Sequence, residues 1–219
     1  MKGVFGAIRE AADAVLEVIL PSRERVRRVR SRTPEDLALT PESHELCGIT
    51  ITTLMNYRSE AAQDSIRALK YDGSRHAAKL CATLLADYLR EEIASIKAFS
   101  PRPVLILAVP LHKNRERERG FNQIERVLRE LPEEFKDGSL SRLSSEALSR
   151  TKETKQQTKL SRSERLKNVK NAFTANPSAD GAHIIIVDDV ATTGATLAAC
   201  AEALEEGGAM VTAIALARA

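Results

Sequence analysis

The sequence predicts an α/β fold: a twisted, mainly parallel sheet flanked by helices, with a helical N-terminal extension. Three observations carry this. Val104-Leu105-Ile106-Leu107-Ala108-Val109 is a short continuous apolar run, and so is His183-Ile184-Ile185-Ile186-Val187. Such runs mark strands buried on both faces. The order strand, helix, strand over 183–216 has the spacing of a βαβ unit.

Composition agrees with a globular chain. Of 219 residues, 43% are hydrophobic and 29% charged, which excludes disorder by composition. The net charge of +3 is too weak to argue nucleic-acid binding by itself, and 4% aromatics with no Trp disfavour base-stacking platforms. Cys47, Cys81 and Cys200 are odd in number and far apart, so neither a disulfide framework nor a cysteine zinc knuckle is expected. Free thiols point to a reducing, cytoplasmic setting. Arg9, Glu10, Asp13 and Glu17 interrupt the first apolar stretch, so neither a signal peptide nor a membrane span is expected there.

Taken in order, Val4 to Leu20 reads as an amphipathic helix stopped by Pro21. Ser22 to Arg32 holds six arginines against one glutamate, and 21–45 reads as a linker or short helical appendage. The expected division is therefore 1–45, a helix and basic linker, and 46–219, one domain. Within it 46–100 is a helical hood and 101–219 the core. Gly48 to Tyr57, rich in Ile and Thr, predicts a strand. Glu60 to Lys70 and Arg75 to Ile96 predict helices. Pro110 closes the Val104–Val109 strand, Lys113 to Arg119 forms a charged loop, and Phe121 to Leu131 returns to helical spacing. The polar stretch 136–160 predicts a short strand and a mobile loop, and Glu164 to Asn171 a helix. Thr196 to Glu206 predicts a helix ended by Gly207-Gly208, with a last strand over Met210 to Leu216. His44, His76 and His183 read as ordinary surface or loop histidines, and Cys200 as core.

The chemistry concentrates after the second apolar run. Asp188 and Asp189 end the strand, Val190-Ala191-Thr192-Thr193-Gly194-Ala195 turns, and a helix starts near Thr196. Strand carboxyl ends line the ligand crevice of an open α/β sheet. Backbone N–H groups at a helix amino end favour an anion. Gly194 would let the backbone come close to it, and Thr192, Thr193 and Thr196 can add hydroxyl donors. Two carboxylates repel a phosphate, so they suit sugar hydroxyls or a metal ion reached through water. The pattern predicts a sugar 5-phosphate in the turn and a ribose diol on the acids. No GxxxxGK[ST] stretch is present to support a nucleotide-hydrolase reading.

This segment resembles the phosphoribosyl pyrophosphate (PRPP) motif of type I phosphoribosyltransferases. That resemblance implies the type I phosphoribosyltransferase fold. It assigns Asp188 and Asp189 to the ribose hydroxyls as catalytic acids, and Ala191, Thr192, Thr193, Gly194, Ala195 and Thr196 to the 5-phosphate. The pyrophosphate would then meet Leu111, His112, Lys113 and Arg115 after the first strand, where Lys113 to Arg119 carries a net +2. Arg150 to Lys170 has eight basic and two acidic residues. Around Lys155, Gln156 and Gln157 it would form a mobile lid that keeps water from the reactive sugar.

Beyond that motif, Val109-Pro110-Leu111-His112 and Arg119-Gly120-Phe121-Asn122-Gln123 resemble the ComF family. So do Gln157, Leu160-Ser161-Arg162, Glu164-Arg165, Asn168-Val169 and Ala172-Phe173. Tyr57, Ile66-Arg67-Ala68-Leu69-Lys70-Tyr71 and Gly73 match the region before the core, so the likeness covers about 57–219. The family is linked to competence and DNA uptake. One departure is clear: many such proteins open with a four-cysteine zinc module, whereas this chain has Cys47 alone there, so no zinc is expected.

The resemblance implies Mg²⁺ bound through PRPP near Asp188 and Asp189, displacement at the anomeric carbon by an unidentified nucleophilic acceptor, and pyrophosphate release. Thr192 stands where purine-salvage relatives carry an aspartate, which argues against a hypoxanthine or guanine acceptor but not against a pyrimidine. No glutaminase-sized segment precedes the core, and any hood over the acceptor is expected from residues before about 100. The alternatives are an accessory protein of DNA uptake that binds PRPP and a competence helicase with little or no catalysis, and a DNA-binding module using Arg23 to Arg32 and 150–170. A homo-oligomer is left open.

Overall fold

The computed structural model describes residues 22–111, 120–151 and 171–219, together with Arg117 and Val169. The helix expected over 4–20, and most of that expected over 164–171, lie outside these.

In chain order the elements are α1 (Ser22–Arg30), β1 (Glu42–Leu46), β2 (Ile49–Asn56), α2 (Glu60–Asp72), α3 (Arg75–Phe99) and β3 (Val104–Ala108). There follow α4 (Gln123–Arg129), β4 (Arg142–Leu143), β5 (Leu148–Arg150), β6 (Phe173–Ala175), β7 (His183–Ala191), α5 (Ala195–Glu206) and β8 (Met210–Arg218). Six strands form one sheet in the order β1-β2-β8-β7-β3-β4, while β5 and β6 make a separate antiparallel pair. Only β1 runs antiparallel, against β2; every other pairing in the six-stranded sheet is parallel. The parallel α/β expectation holds.

Alternation along the buried strands feeds two apolar layers. Leu54, Ile106, Ile185 and Leu216 face α2, α3 and α4, where Ile66, Leu85 and Ile124 meet them. Ile51, Ile184, Ile186 and Ala215 face the other way, onto Leu197, Cys200 and Leu204 of α5 and Phe173 of β6. Cys200 is core, as its spacing predicts.

Three readings need correction. Residues 42–46 are not linker: Glu-Ser-His-Glu-Leu is an edge strand joined to β2 by the two-residue turn Cys47-Gly48. Both turn residues have positive φ, 53° and 83°, the backbone that matches hairpin twist. His183 is no surface histidine. It is buried, with Nε2 2.9 Å from the Thr212 hydroxyl, and burial lowers its pKa. The arginine-rich segment is the short helical appendage, α1, rather than a linker. Arg25 is 6% exposed and donates from Nε to Asp72 at 2.7 Å, Arg28 pairs with Asp64 at 3.1 Å, and Arg32 with Glu60 at 3.6 Å. Three of the six arginines in 23–32 are thereby paired with acids of α2.

Candidate active site

The acids lie inside a strand rather than after one. β7 runs four residues beyond Val187, because β8 continues alongside it: Asp188 stands opposite Ala215 and Ala191 opposite Arg218. Strand pleating then sends Asp188 and Asp189 to opposite faces.

Asp189 points into the helical layer and is 7% exposed. Its Oδ1 lies 3.2 Å from Lys70 Nζ of α2, and its Oδ2 accepts from Gln123 Nε2 of α4 at 2.6 Å. Burial works against the charge of Lys70, but Asp189, Tyr57 and Asp188 outweigh it, and the ammonium pKa lies above its ordinary value. Asp188 keeps partial exposure, and its Oδ1 accepts the Asp189 backbone N–H at 2.8 Å. Burial, then the charge of Asp189, push its carboxyl up to about 7, against the pull of that N–H, Lys70 and Arg150. On the α5 side, burial first and Asp188 next push the Cys200 thiol well above its usual value.

The turn Thr192–Gly194 leads into α5. Gly194, at φ 78°, is the N-cap and brings no side-chain cap, and the first turn of α5 carries no acid. The Thr193 hydroxyl accepts from the Ala195 N–H at 3.4 Å. The first turn of this three-turn helix therefore brings no carboxylate of its own to offset the positive end. Glycine is required here on two counts. Besides its φ, an added Cβ would lie 2.6 Å from Leu46 Cβ and 2.9 Å from Ile51 Cδ1. The absence of a Cβ at Gly194 thus permits close packing against the β1–β2 hairpin. Cys47 Sγ of that hairpin also donates to the Thr193 carbonyl at 3.0 Å. Thr192 is exposed, Thr193 and Thr196 half-buried, while Ala191 and Ala195 are buried, Ala191 as the last residue of β7.

Beside this, β3 ends where the pyrophosphate was expected. Val109 N–H donates to Val187 O at 2.9 Å, fixing the segment to β7. Asn122 Nδ2 donates to Val109 O at 3.1 Å while its Oδ1 caps α4 by accepting from Ile124 and Glu125. Arg150 Nη1 reaches Pro110 O at 3.5 Å, and its guanidinium lies over the Phe173 ring at 5.1 Å. Leu111 is half-buried. His112, Lys113, Arg115, Lys155, Gln156 and Gln157 lie outside the described residues.

Lys70, Gln123 and Arg150 were not assigned a place at this site from sequence. The first two fall inside the stretches Ile66–Tyr71 and Arg119–Gln123 that carry the ComF resemblance, and that was the available signal. Among the described residues no cluster of three or more His, Cys, Asp or Glu could hold a metal by itself. Mg²⁺ is usually held by one or two carboxylates plus substrate phosphates, and the partly exposed acid Asp188 would fit such an ion. Further along the same edge, a cavity of about 310 Å³ lies at the carboxyl ends of β2 and β8, lined by Thr40, Glu42, Thr53, Met55, Asn56, Arg58, Arg218 and Ala219. No helix among the described residues is long and apolar enough to cross a membrane.

The Phosphoribosyl transferase domain family model matches residues 117–219. The DNA utilization protein YhgH of Escherichia coli O6:H1 is 41% identical over 107 residues, 49% of this chain and 45% of that protein. The Competence protein ComFC of Bacillus subtilis is 38% identical over 112 residues, 51% of this chain and 42% of that one. ComFC of Streptococcus pneumoniae is 28% identical over 162 residues, 74% and 64%. The chain spans about half the length of the curated relatives it matches. Among solved structures, the orotate phosphoribosyltransferase of Mycobacterium tuberculosis aligns over 90% of this chain and 97% of that one, at 14% identity and a TM-score of 0.35, a likeness too loose to carry an argument. Residues 117–219 thus match the phosphoribosyl transferase domain model, and about half of the chain is similar in sequence to the YhgH and ComFC proteins.

Proposed function

We propose that this chain is a ComF-type phosphoribosyltransferase, a pentosyl-transferring glycosyltransferase that uses Mg²⁺-PRPP and acts in DNA uptake or utilization in the cytoplasm. One observation carries the reading most: an acidic strand end, open at Asp188, stands directly before the uncapped amino end of α5. The 5-phosphate seats on the amides and hydroxyls of Thr192 to Thr196, and the ribose lies over the acid end of β7. The leaving pyrophosphate points toward the end of β3, which Asn122 and Val187 hold in place. Bound Mg²⁺ supplies neutralisation of the charge on the leaving diphosphate. The acceptor enters from the cavity beside Asn56 and Arg58, which come from the part of the chain expected to form the hood. The printed names of the relatives, DNA utilization protein and Competence protein, support the biological setting.

The test is PRPP-dependent pyrophosphate release across a panel of nucleobases and ammonia, together with calorimetric PRPP binding. The wild type is expected to bind PRPP. Asp188→Asn is expected to weaken that binding roughly 10–100-fold, the range for a lost charged hydrogen bond. A folded wild-type protein that neither binds PRPP nor releases pyrophosphate sinks the reading. A second reading, an accessory protein that binds PRPP and a competence helicase without turnover, is favoured by the engagement of both Asp189 oxygens. It requires PRPP binding, no pyrophosphate release with any acceptor, and association with the purified helicase.

A further inference from the structure

Asp188 and Asp189 are adjacent in sequence but differ in what they touch. Asp189 is enclosed: its side chain is 10% exposed, one oxygen 3.2 Å from Lys70 Nζ and the other 2.6 Å from Gln123 Nε2. Those partners come from α2 and α4, two helices more than fifty residues apart in the chain. Lys70 is itself mostly covered, at 22% side-chain exposure. Each oxygen already has a protein partner, leaving about half of the acceptor sites of the carboxylate, and pleating turns it toward the helical layer, away from the face of Asp188. Asp188, on the opposite face, is a partly exposed residue whose carboxylate accepts a backbone N–H, that of Asp189.

We infer that Lys70 and Gln123 are positioning residues that lock Asp189 as a clamp between the helices and the sheet, leaving Asp188 as the acid presented to the ribose. The role given to Asp188 rests on the PRPP reading above. The clamp rests on geometry alone. It joins the hood part of the chain to the strand that carries the site, so the strand end is set before any sugar arrives. Buried ion pairs lose most when one partner is removed and little when both are neutralised together.

That asymmetry is the test. Thermal midpoint and Mg²⁺-PRPP affinity are measured for wild type, Lys70→Met, Asp189→Asn, Lys70→Met/Asp189→Asn and Asp188→Asn. Lys70→Met is expected to lower the midpoint by about 5–10 °C, and the double variant to recover most of that loss. The double variant is expected to bind PRPP within about threefold of wild type, while Asp188→Asn loses tenfold or more. Lys70→Arg, which keeps the charge, is expected to hold both midpoint and affinity, and it decides the matter should Lys70→Met not fold. Midpoint changes that simply add overturn the clamp. A double variant with a normal midpoint that loses as much affinity as Asp188→Asn places Asp189 on the sugar and overturns the division of labour. Absence of PRPP binding in the wild type sinks the PRPP reading instead, with the midpoints still deciding the clamp.

Discussion

Asp188 is an acid kept near its balance point. With its carboxyl raised to about 7, first by burial and then by Asp189, the folded chain holds that proton more tightly than the unfolded chain does. A group of this kind costs nothing at low pH, and its cost grows as pH rises from the ordinary carboxylate range through 7. Asp188→Asn should therefore stabilise the ligand-free protein at pH 8, by roughly 1–3 kcal/mol, and leave it unchanged at pH 4. Urea unfolding at the two pH values checks this; equal effects at both would contradict the burial argument. On the proposed function the same substitution is expected to weaken PRPP binding, so stability and binding are expected to move in opposite directions at one residue. At this scale the sequence exposed the acids and the threonine turn because they stand together in the chain. Lys70 and Gln123 stayed unassigned for the opposite reason. Each is an ordinary polar residue on its own helix, and only the packing of α2 and α4 on one face of the sheet brings both to Asp189.

Elements were legible in proportion to how far local pattern decided them. β3 and the first half of β7 are apolar throughout, and α5 ends where Gly207 and Gly208 stand. The second half of β7 was not legible, since Asp-Asp reads as a strand end. It is strand because β8 offers a parallel partner as far as Arg218. β1 was missed because Glu-Ser-His-Glu-Leu is polar on both faces, as an outer edge strand often is; pairing with β2 makes it a strand. α4 shows an element serving the site through its cap. One Asn122 side chain accepts from two helix N–H groups and donates to the Val109 carbonyl at the end of β3. Asn122→Ala should cost about 1–2 kcal/mol in urea unfolding. A loss under about 0.5 kcal/mol would mean that the cap carries none of the attachment of β3 to α4.

At the scale of the whole molecule, the stretch matched by the family model does not coincide with a structural unit. It spans 117–219, yet β3 lies between β7 and β4, and β2 covers the open edge of β8. A fragment of 117–219 would expose unpaired edges on both β7 and β8 and strip one apolar layer of α2 and α3. It is expected to show no cooperative thermal transition by circular dichroism, whereas 22–219 is expected to show one. A sharp transition in the short fragment would refute this. Fold class was legible at this scale because parallel strands buried on both faces leave a strong apolar trace. The crossing of the front of the chain into the sheet left none, since β2 reads like any amphipathic strand.

The hairpin tip that meets the Thr192–Gly194 turn also offers an optical handle. Of the three thiols, that of Cys47 alone is exposed, and it hydrogen-bonds to the Thr193 carbonyl. A maleimide fluorophore attached there would sit beside the turn proposed to hold the 5-phosphate. With Cys81 and Cys200 enclosed in the interior, the labelled native protein would carry its dye at one address and register ligand arrival as a change in emission.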